Sequence, residues 1–258
     1  MPTPTDLFDL TGKVAIVTGS TKGIGRAMVD GLAGAGAAVV VSSRKQELCD
    51  QVAHEVATAT GAQTLALACH VGDWEAIPGF VEEVHAHFGR IDVLVNNAGI
   101  NPAPVAVSDM TLEYWRKVFA VNLEGPLRMS QCVAPVMRDG GGGSIINIAT
   151  MGAYSGGSEV NAYCASKAAL ANLTLSMAKE WVSWKVRVNT IAPGPFASEM
   201  VEGAERRTPG FKETIAAGSL MNRIASSHEI IGPVLYLASD ASSFVTGDDM
   251  SVSGGMQK

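Results

Sequence analysis

The run Val14-Ala15-Ile16-Val17-Thr18-Gly19-Ser20-Thr21-Lys22-Gly23-Ile24-Gly25 decides the fold. Its first five residues are apolar and β-branched, as a buried strand requires, and a helical pattern begins at Gly23. Glycines between a strand and a helix let the backbone turn tightly and approach a pyrophosphate, whose charge is met by the amides and positive end of the helix. The spacing is Gly-x-x-x-Gly-x-Gly rather than Gly-x-Gly-x-x-Gly. A glycine-rich loop alone is more often just a turn. Its position between the first strand and the first helix is what makes Gly19, Thr21, Lys22, Gly23, Ile24 and Gly25 candidate cofactor residues.

Outward from this turn, short β-branched runs recur at Ala38 to Ser42, Thr64 to Cys69, Val93 to Asn96, Ser144 to Ile148 and Val186 to Ile191. Helical patterns separate them: one from Gly23, one after Arg44, one after Asp73, a long one over about Leu112 to Met137 and one over about Ala162 to Trp184. Strands joined by helices imply a parallel sheet covered on both faces, built from right-handed crossovers. The expected fold is therefore α/β: a Rossmann-type doubly wound three-layer sandwich with a parallel sheet of about seven strands, forming one domain over 1–258. Between Pro193 and Arg223 the alternation stops, so 195–223 reads as a substrate lid.

Composition narrows the function. The 258 residues are 47% hydrophobic, and 25 acidic residues against 19 Lys plus Arg disfavour nucleic acid as a partner. Met1 to Leu10 lack the basic start and apolar middle of a secretory leader, and no run is long enough to span a membrane. Cys49, Cys69, Cys132 and Cys164 show no Cys-x-x-Cys spacing, and the five histidines form no His-Glu-x-x-His helix. The expectations are free thiols in a cytoplasmic protein, and no catalytic metal.

The second strand ends Val41-Ser42-Ser43-Arg44 without an acid. In dinucleotide folds an acid there accepts the adenosine ribose hydroxyl, whereas an arginine accommodates a 2′-phosphate. Ser43 and Arg44, with Lys22 nearby, favour NADP(H), while NAD(H) stays open. Further along, Tyr163 stands four residues before Lys167, which puts a phenol and an ammonium on one helix face. A free phenol has a pKa near ~10, and an adjacent cation lowers it toward useful proton transfer.

With Thr18-Gly19-x-x-x-Gly23-Ile24-Gly25, Asn96-Asn97-Ala98-Gly99 and Tyr163-x-x-x-Lys167 in order, the sequence resembles the short-chain dehydrogenase/reductase family over essentially its whole length. Val121-Asn122, Arg187-Val188-Asn189, Pro193-Gly194 and the tail through Gly254-Gly255 add to the match. The resemblance implies Tyr163 as catalytic acid or base, with Lys167 lowering its pKa and binding the nicotinamide ribose. Asn122 would sit at a helix kink and support a water leading to Lys167. Asn97, Ala98 and Gly99 would pack on the adenosine side, and Pro193, Gly194, Phe196 and Ser198 would lie along the nicotinamide. Thr150 stands where the family usually has a serine, thirteen residues before the tyrosine. It keeps the hydroxyl, and its methyl takes space beside the substrate. His70 replaces an aspartate that meets the adenine, leaving the backbone at Val71 for that contact. Ser253 replaces an aspartate before the terminal glycines.

The resemblance implies hydride transfer between NADP(H) and a carbonyl or secondary alcohol, in a homotetramer built by pairing the helices around Leu112 to Met137 and Ala162 to Trp184. Residues 41–46, 69–72 and 99–102 resemble the carbonyl and retinal reductase branch. A 3-oxoacyl carrier-protein reductase is the rival, with Arg128 where such enzymes meet the acidic carrier and Trp184 where a second basic residue would stand. A silent NADP(H)-binding regulatory protein is the remaining alternative.

Overall fold

The computed structural model describes residue 3 and residues 5–256. Met1, Pro2 and Pro4 of the stretch read for a leader, and Gln257 and Lys258 at the end of the expected domain, lie outside the described residues.

Seven strands form one parallel sheet in the order β3-β2-β1-β4-β5-β6-β7. They are β1 Val14–Thr18, β2 Ala38–Ser42, β3 Thr64–Ala66, β4 Val93–Asn96, β5 Gly143–Ile148, β6 Val186–Pro193 and β7 Asp249–Val252. Successive residues of a strand face opposite sides of the sheet, so each side gathers its own core. Ala15 and Val17 of β1 pack with Met28, Leu32, Val52 and Leu237 on one side. Val14 and Ile16 pack with Phe80, Val84, Met129 and Trp181 on the other. That arrangement is why the strands read as unbroken apolar runs rather than alternating ones.

The chain leaves β1 in one direction to build β2 and β3, then crosses to β4 on the opposite side. At this reversal the connections beyond the carboxyl ends of β1 and β4 part, leaving the crevice where ligands bind in open α/β sheets.

The helices differ from the sequence reading in two instructive places. α1 Gly23–Gly34, α2 Gln46–Thr60 and α3 Ala76–Phe88 follow it closely. The long helix expected over Leu112 to Met137 is instead α4 Leu112–Phe119 and α5 Gly125–Asp139, joined by a π turn over Ala120–Glu124. Gly125 and Pro126 explain the interruption. A Cβ on Gly125 would lie 2.4 Å from the Val71 carbonyl oxygen, and Pro126 has no N–H to donate along the helix. After the short α6 Gly152–Ser155 comes α7 Asn161–Trp181, which closes in a 3₁₀ turn at Val182–Trp184.

The expected lid is not a loop. It contains α8 Glu199–Arg207 and α9 Phe211–Ala217, with α10 Ile231–Ala238 following. Ser198 caps α8 by accepting from the Val201 N–H at 3.3 Å. Glu205 braces the joint to α9 by accepting from the Gly210 and Lys212 amides at 3.1 and 2.8 Å. Neither lid helix has a fully buried residue and both are short, nine and seven residues, so they offer little of the sustained apolar periodicity by which helices are read from sequence. Among the described residues no helix is long and apolar enough to cross a membrane.

Candidate active site

The glycine turn is built against the turn that follows β4. Gly19 has φ +65°, and a Cβ there would approach Ala98 Cα to 2.9 Å. A Cβ on Gly25 would be 2.4 Å from Gly19 O and 2.5 Å from Asn97 Nδ2. Asn97 Nδ2 donates to Thr18 O and Gly19 O at 2.8 and 3.1 Å, and Thr18 Oγ1 accepts from the Asn97 and Ala98 amides, each at 3.0 Å. The two turns are thus one unit. Ser20 ties it to β2 by accepting from the Ser42 N–H at 2.9 Å.

Around this unit lie the other expected cofactor residues. Thr21 is half-buried, and Ile24 packs against the core of the α1 side. The Ser43 N–H donates to Cys49 Sγ at 3.1 Å, while Arg44 is exposed and has no ion-pair partner among the described residues. Lys22 is not free beside it: its ammonium is paired with Glu199, the first residue of α8. The His70 ring serves its own turn, with Nδ1 accepting from the Gly72 N–H at 3.1 Å, and Val71 is buried beneath α5.

The remaining site residues meet at the carboxyl end of β5. Lys167 on α7 is 2% exposed, and its Nζ donates to the Ile148 carbonyl at 2.6 Å. It lies against the β4 turn, since a Cβ on Gly99 would be 3.4 Å from Nζ. Burial pulls its pKa down to about 8. Tyr163, one helical turn earlier, is pushed up by burial above all, and the Thr150 side chain pulls it partly back. The lowering expected from Lys167 is thus not what governs the phenol here: desolvation raises it, and the group that lowers it is Thr150. Thr150 Oγ1 also accepts from the Gly152 N–H at 3.3 Å. Ser155 and Ser158, the other hydroxyls of this segment, are exposed, the first at the end of α6 and the second on the loop ahead of α7.

Asn122 lies in the π turn and is fully buried. Its Oδ1 accepts from the Ile100 N–H at 2.8 Å, and its Nδ2 donates to the Ile100 carbonyl at 2.9 Å and to Ser166 Oγ at 3.1 Å. Ser166 passes the connection to the Tyr163 carbonyl at 2.7 Å. One amide therefore fixes the loop after β4 to the helix that bears Tyr163 and Lys167. Ser166 was not singled out in the sequence, although it stands directly before Lys167. Deeper in, Asn96 and Asn147 face each other across β4 and β5, with Asn96 Nδ2 donating to Asn147 Oδ1 at 2.8 Å. That pair was also missed, and its signal is an asparagine at the same register of two apolar strands.

The residues after β6 divide. The Pro193 carbonyl accepts from the Met151 N–H at 3.0 Å, and the Gly194 N–H donates to the Val252 carbonyl at 3.0 Å. Ser253 packs on Gly194, where a Cβ would meet Ser253 Cα at 2.7 Å. Phe196 turns into the core at 5% exposure while its backbone bridges to Ala225, and Ser198 is the cap of α8.

A doubly wound sheet with a glycine turn at its switch point, beside a half-buried tyrosine one helical turn from a buried lysine, defines a dinucleotide-binding oxidoreductase. The profile of a family described as enoyl-(acyl carrier protein) reductase matches residues 19–257. The chain is 37% identical over 251 residues to human dehydrogenase/reductase SDR family member 4, covering 95% of this chain and 88% of that protein. It is 37% identical over 254 residues to 2-dehydro-3-deoxy-D-gluconate 5-dehydrogenase of Escherichia coli, covering 96% of each. A solved 3-oxoacyl (acyl-carrier-protein) reductase from Agrobacterium tumefaciens with NADP bound superposes with a TM-score of 0.92 at 32% identity, covering 98% of this chain and 97% of that one. The chain belongs to the short-chain dehydrogenase/reductase family.

Proposed function

We propose that the protein is an NADP(H)-dependent carbonyl reductase that transfers hydride between the nicotinamide and a ketone, aldehyde or secondary alcohol. The observation that carries this reading is the placement of Thr150, Tyr163 and Lys167 together at the end of β5, with Lys167 against the β4 turn that clamps the glycine turn. The glycine cradle fits a pyrophosphate, because side chains at Gly19 or Gly25 would fill it. Arg44 offers an exposed, uncommitted fork to a 2′-phosphate. Gly19 to Gly25, Ser43, Arg44 and Val71 would bind the adenosine half, and Pro193, Gly194 and the backbone near Phe196 and Ser198 the nicotinamide half. When bound, the nicotinamide supplies or accepts the hydride.

The protein's own part is proton transfer and orientation. Tyr163 gives its proton to the substrate oxygen in reduction and takes it back in oxidation. Thr150 donates to the same oxygen and polarises the carbonyl. Lys167, cationic and buried, favours the phenolate and binds the ribose. Asn122, its carboxamide committed to Ile100 and Ser166, acts by fixing these groups; its place in the π turn is compatible with a water on the way to Lys167.

The rival acyl-carrier reading is weakened at both positions it relies on. Arg128 lies 4.9 Å over the Trp74 ring, and Trp184 stacks on Trp181 and receives Arg138 at 5.1 Å. A silent binding protein would not need Tyr163, Lys167 and Asn122 all in place. A homotetramer remains part of the proposal. Met129, Met177 and Trp181 are spent on the core, but Leu112, Trp115, Leu175 and Val182 leave apolar surface on α4, α7 and the turn after α7. The four unpaired thiols suit a cytoplasmic protein.

A panel of aldehydes, ketones, sugar acids and 3-oxoacyl thioesters, assayed with NADPH and with NADH, tests the reading. Simple carbonyls should turn over with higher kcat/KM for NADPH. Turnover confined to carrier-bound acyl groups would transfer the assignment to the rival.

A further inference from the structure

The pair between Lys22 and Glu199 has no place in the chemistry above. Lys22 is the N-cap residue of α1, and Glu199 opens α8 on the lid, 177 positions away in sequence. The two lid helices are also joined to each other, while backbone bonds from Ala197 to Ala225 and from Met221 to Gly254 hold the ends of the segment. Lys212 of α9 reaches Glu202 of α8 at 2.6 Å, and Glu205 of α8 accepts from the Gly210 and Lys212 amides. Among the described residues, Lys22–Glu199 is the one ion pair that joins either lid helix to the rest of the molecule. Both side chains are well hydrated, at 63% and 69% exposure, so the pair is weak and exchanges readily.

We propose that Glu199 is a specificity-determining residue that competes with the adenosine 2′-phosphate of the cofactor for Lys22. The inference rests on the NADP(H) reading. A phosphate monoester carries roughly −1.5 to −2 charge near neutrality, against −1 for the carboxylate, and offers more acceptor oxygens to an ammonium. With Arg44 exposed beside the same turn, the incoming phosphate takes Lys22 from Glu199. Each binding event therefore costs the protein one ion pair and loosens α8 from the glycine turn. A cofactor without the 2′-phosphate leaves the pair intact. Glu199 thus lowers the affinity for NADP(H) selectively, which speeds its release.

Calorimetric titration of 2′,5′-ADP, 5′-AMP and ADP into wild type, Glu199→Gln, Lys22→Met and the double variant tests this without turnover. Glu199→Gln should bind 2′,5′-ADP about two- to fivefold more tightly, with 5′-AMP and ADP unchanged. The gain should shrink with added salt and vanish in the Lys22→Met background. Unchanged or weaker 2′,5′-ADP binding by Glu199→Gln would overturn the proposal, as would an equal gain for 5′-AMP or ADP, or a gain that survives Lys22→Met. Wild type that does not prefer 2′,5′-ADP to 5′-AMP would overturn the NADP(H) reading, and this proposal with it.

Discussion

Lys167 illustrates how burial sets the chemistry of single residues here. Its pKa falls from 10.5 to about 8 because the ammonium is desolvated, with only the Ile148 carbonyl as a recorded partner. Between those two values the unfolded chain binds more protons than the folded one, so stability rises with pH across that window. The penalty is fully present below about pH 8 and is relieved toward 10.5. Lys167→Met should therefore show its largest stability advantage over wild type at neutral pH, narrowing by up to roughly 3 kcal/mol by pH 10. Urea denaturation of both proteins across pH 7 to 10 checks this, and parallel pH profiles would contradict it. Thr150 makes a second prediction. Removing a donor to the reacting oxygen typically costs about 10²- to 10³-fold in rate, so Thr150→Ala should lose that much kcat while Thr150→Ser stays active. The Tyr163-Lys167 pair was legible in the sequence as a one-face helix spacing, and the places of Asn122 and Thr150 were legible through the family resemblance. The competition between burial and Thr150 over Tyr163 was not, since it depends on what surrounds the ring.

Among the elements, what could be read was what buries apolar surface. Six strands were visible as β-branched runs because both sheet faces are covered. β7, Asp-Met-Ser-Val, has a single β-branched residue and so carries no comparable signal. The kink at Asn122 was expected from the resemblance, but the close approach of Gly125 to the Val71 carbonyl just beyond it was not, since Val71 is distant in sequence. That contact is testable. Gly125→Ala would force a Cβ to within 2.4 Å of a backbone oxygen, and overpacking of this kind costs about 1–3 kcal/mol. Asn122→Ala would leave the Ile100 N–H and carbonyl without their side-chain partner, at about 1–3 kcal/mol for each group left unsatisfied. Denaturant midpoints should fall in both variants, and an unchanged midpoint for Asn122→Ala would remove it as the clamp between the β4 loop and α7.

At the level of the whole molecule, the switch point brings three distant stretches together: the glycine turn near residue 20, the β4 turn near 97 and the Thr150-to-Lys167 segment. The segment that bears α8 meets the first of these through Lys22 and Glu199, an ion pair that no local pattern announces. Exposed apolar residues on α4 and α7 lead to the expectation of a tetramer, which sedimentation velocity would detect at near four times the 26.8 kDa chain mass. On the proposed reading, the three stretches converge so that Tyr163 passes a proton as hydride moves to or from a carbonyl carbon. The most direct test of this reading is NADPH consumption by wild type and Tyr163→Phe on the best carbonyl substrate, with NADPH binding measured in parallel. The account predicts that the variant binds NADPH like wild type but loses turnover by at least about 10²-fold. Equal rates in the two proteins would contradict it.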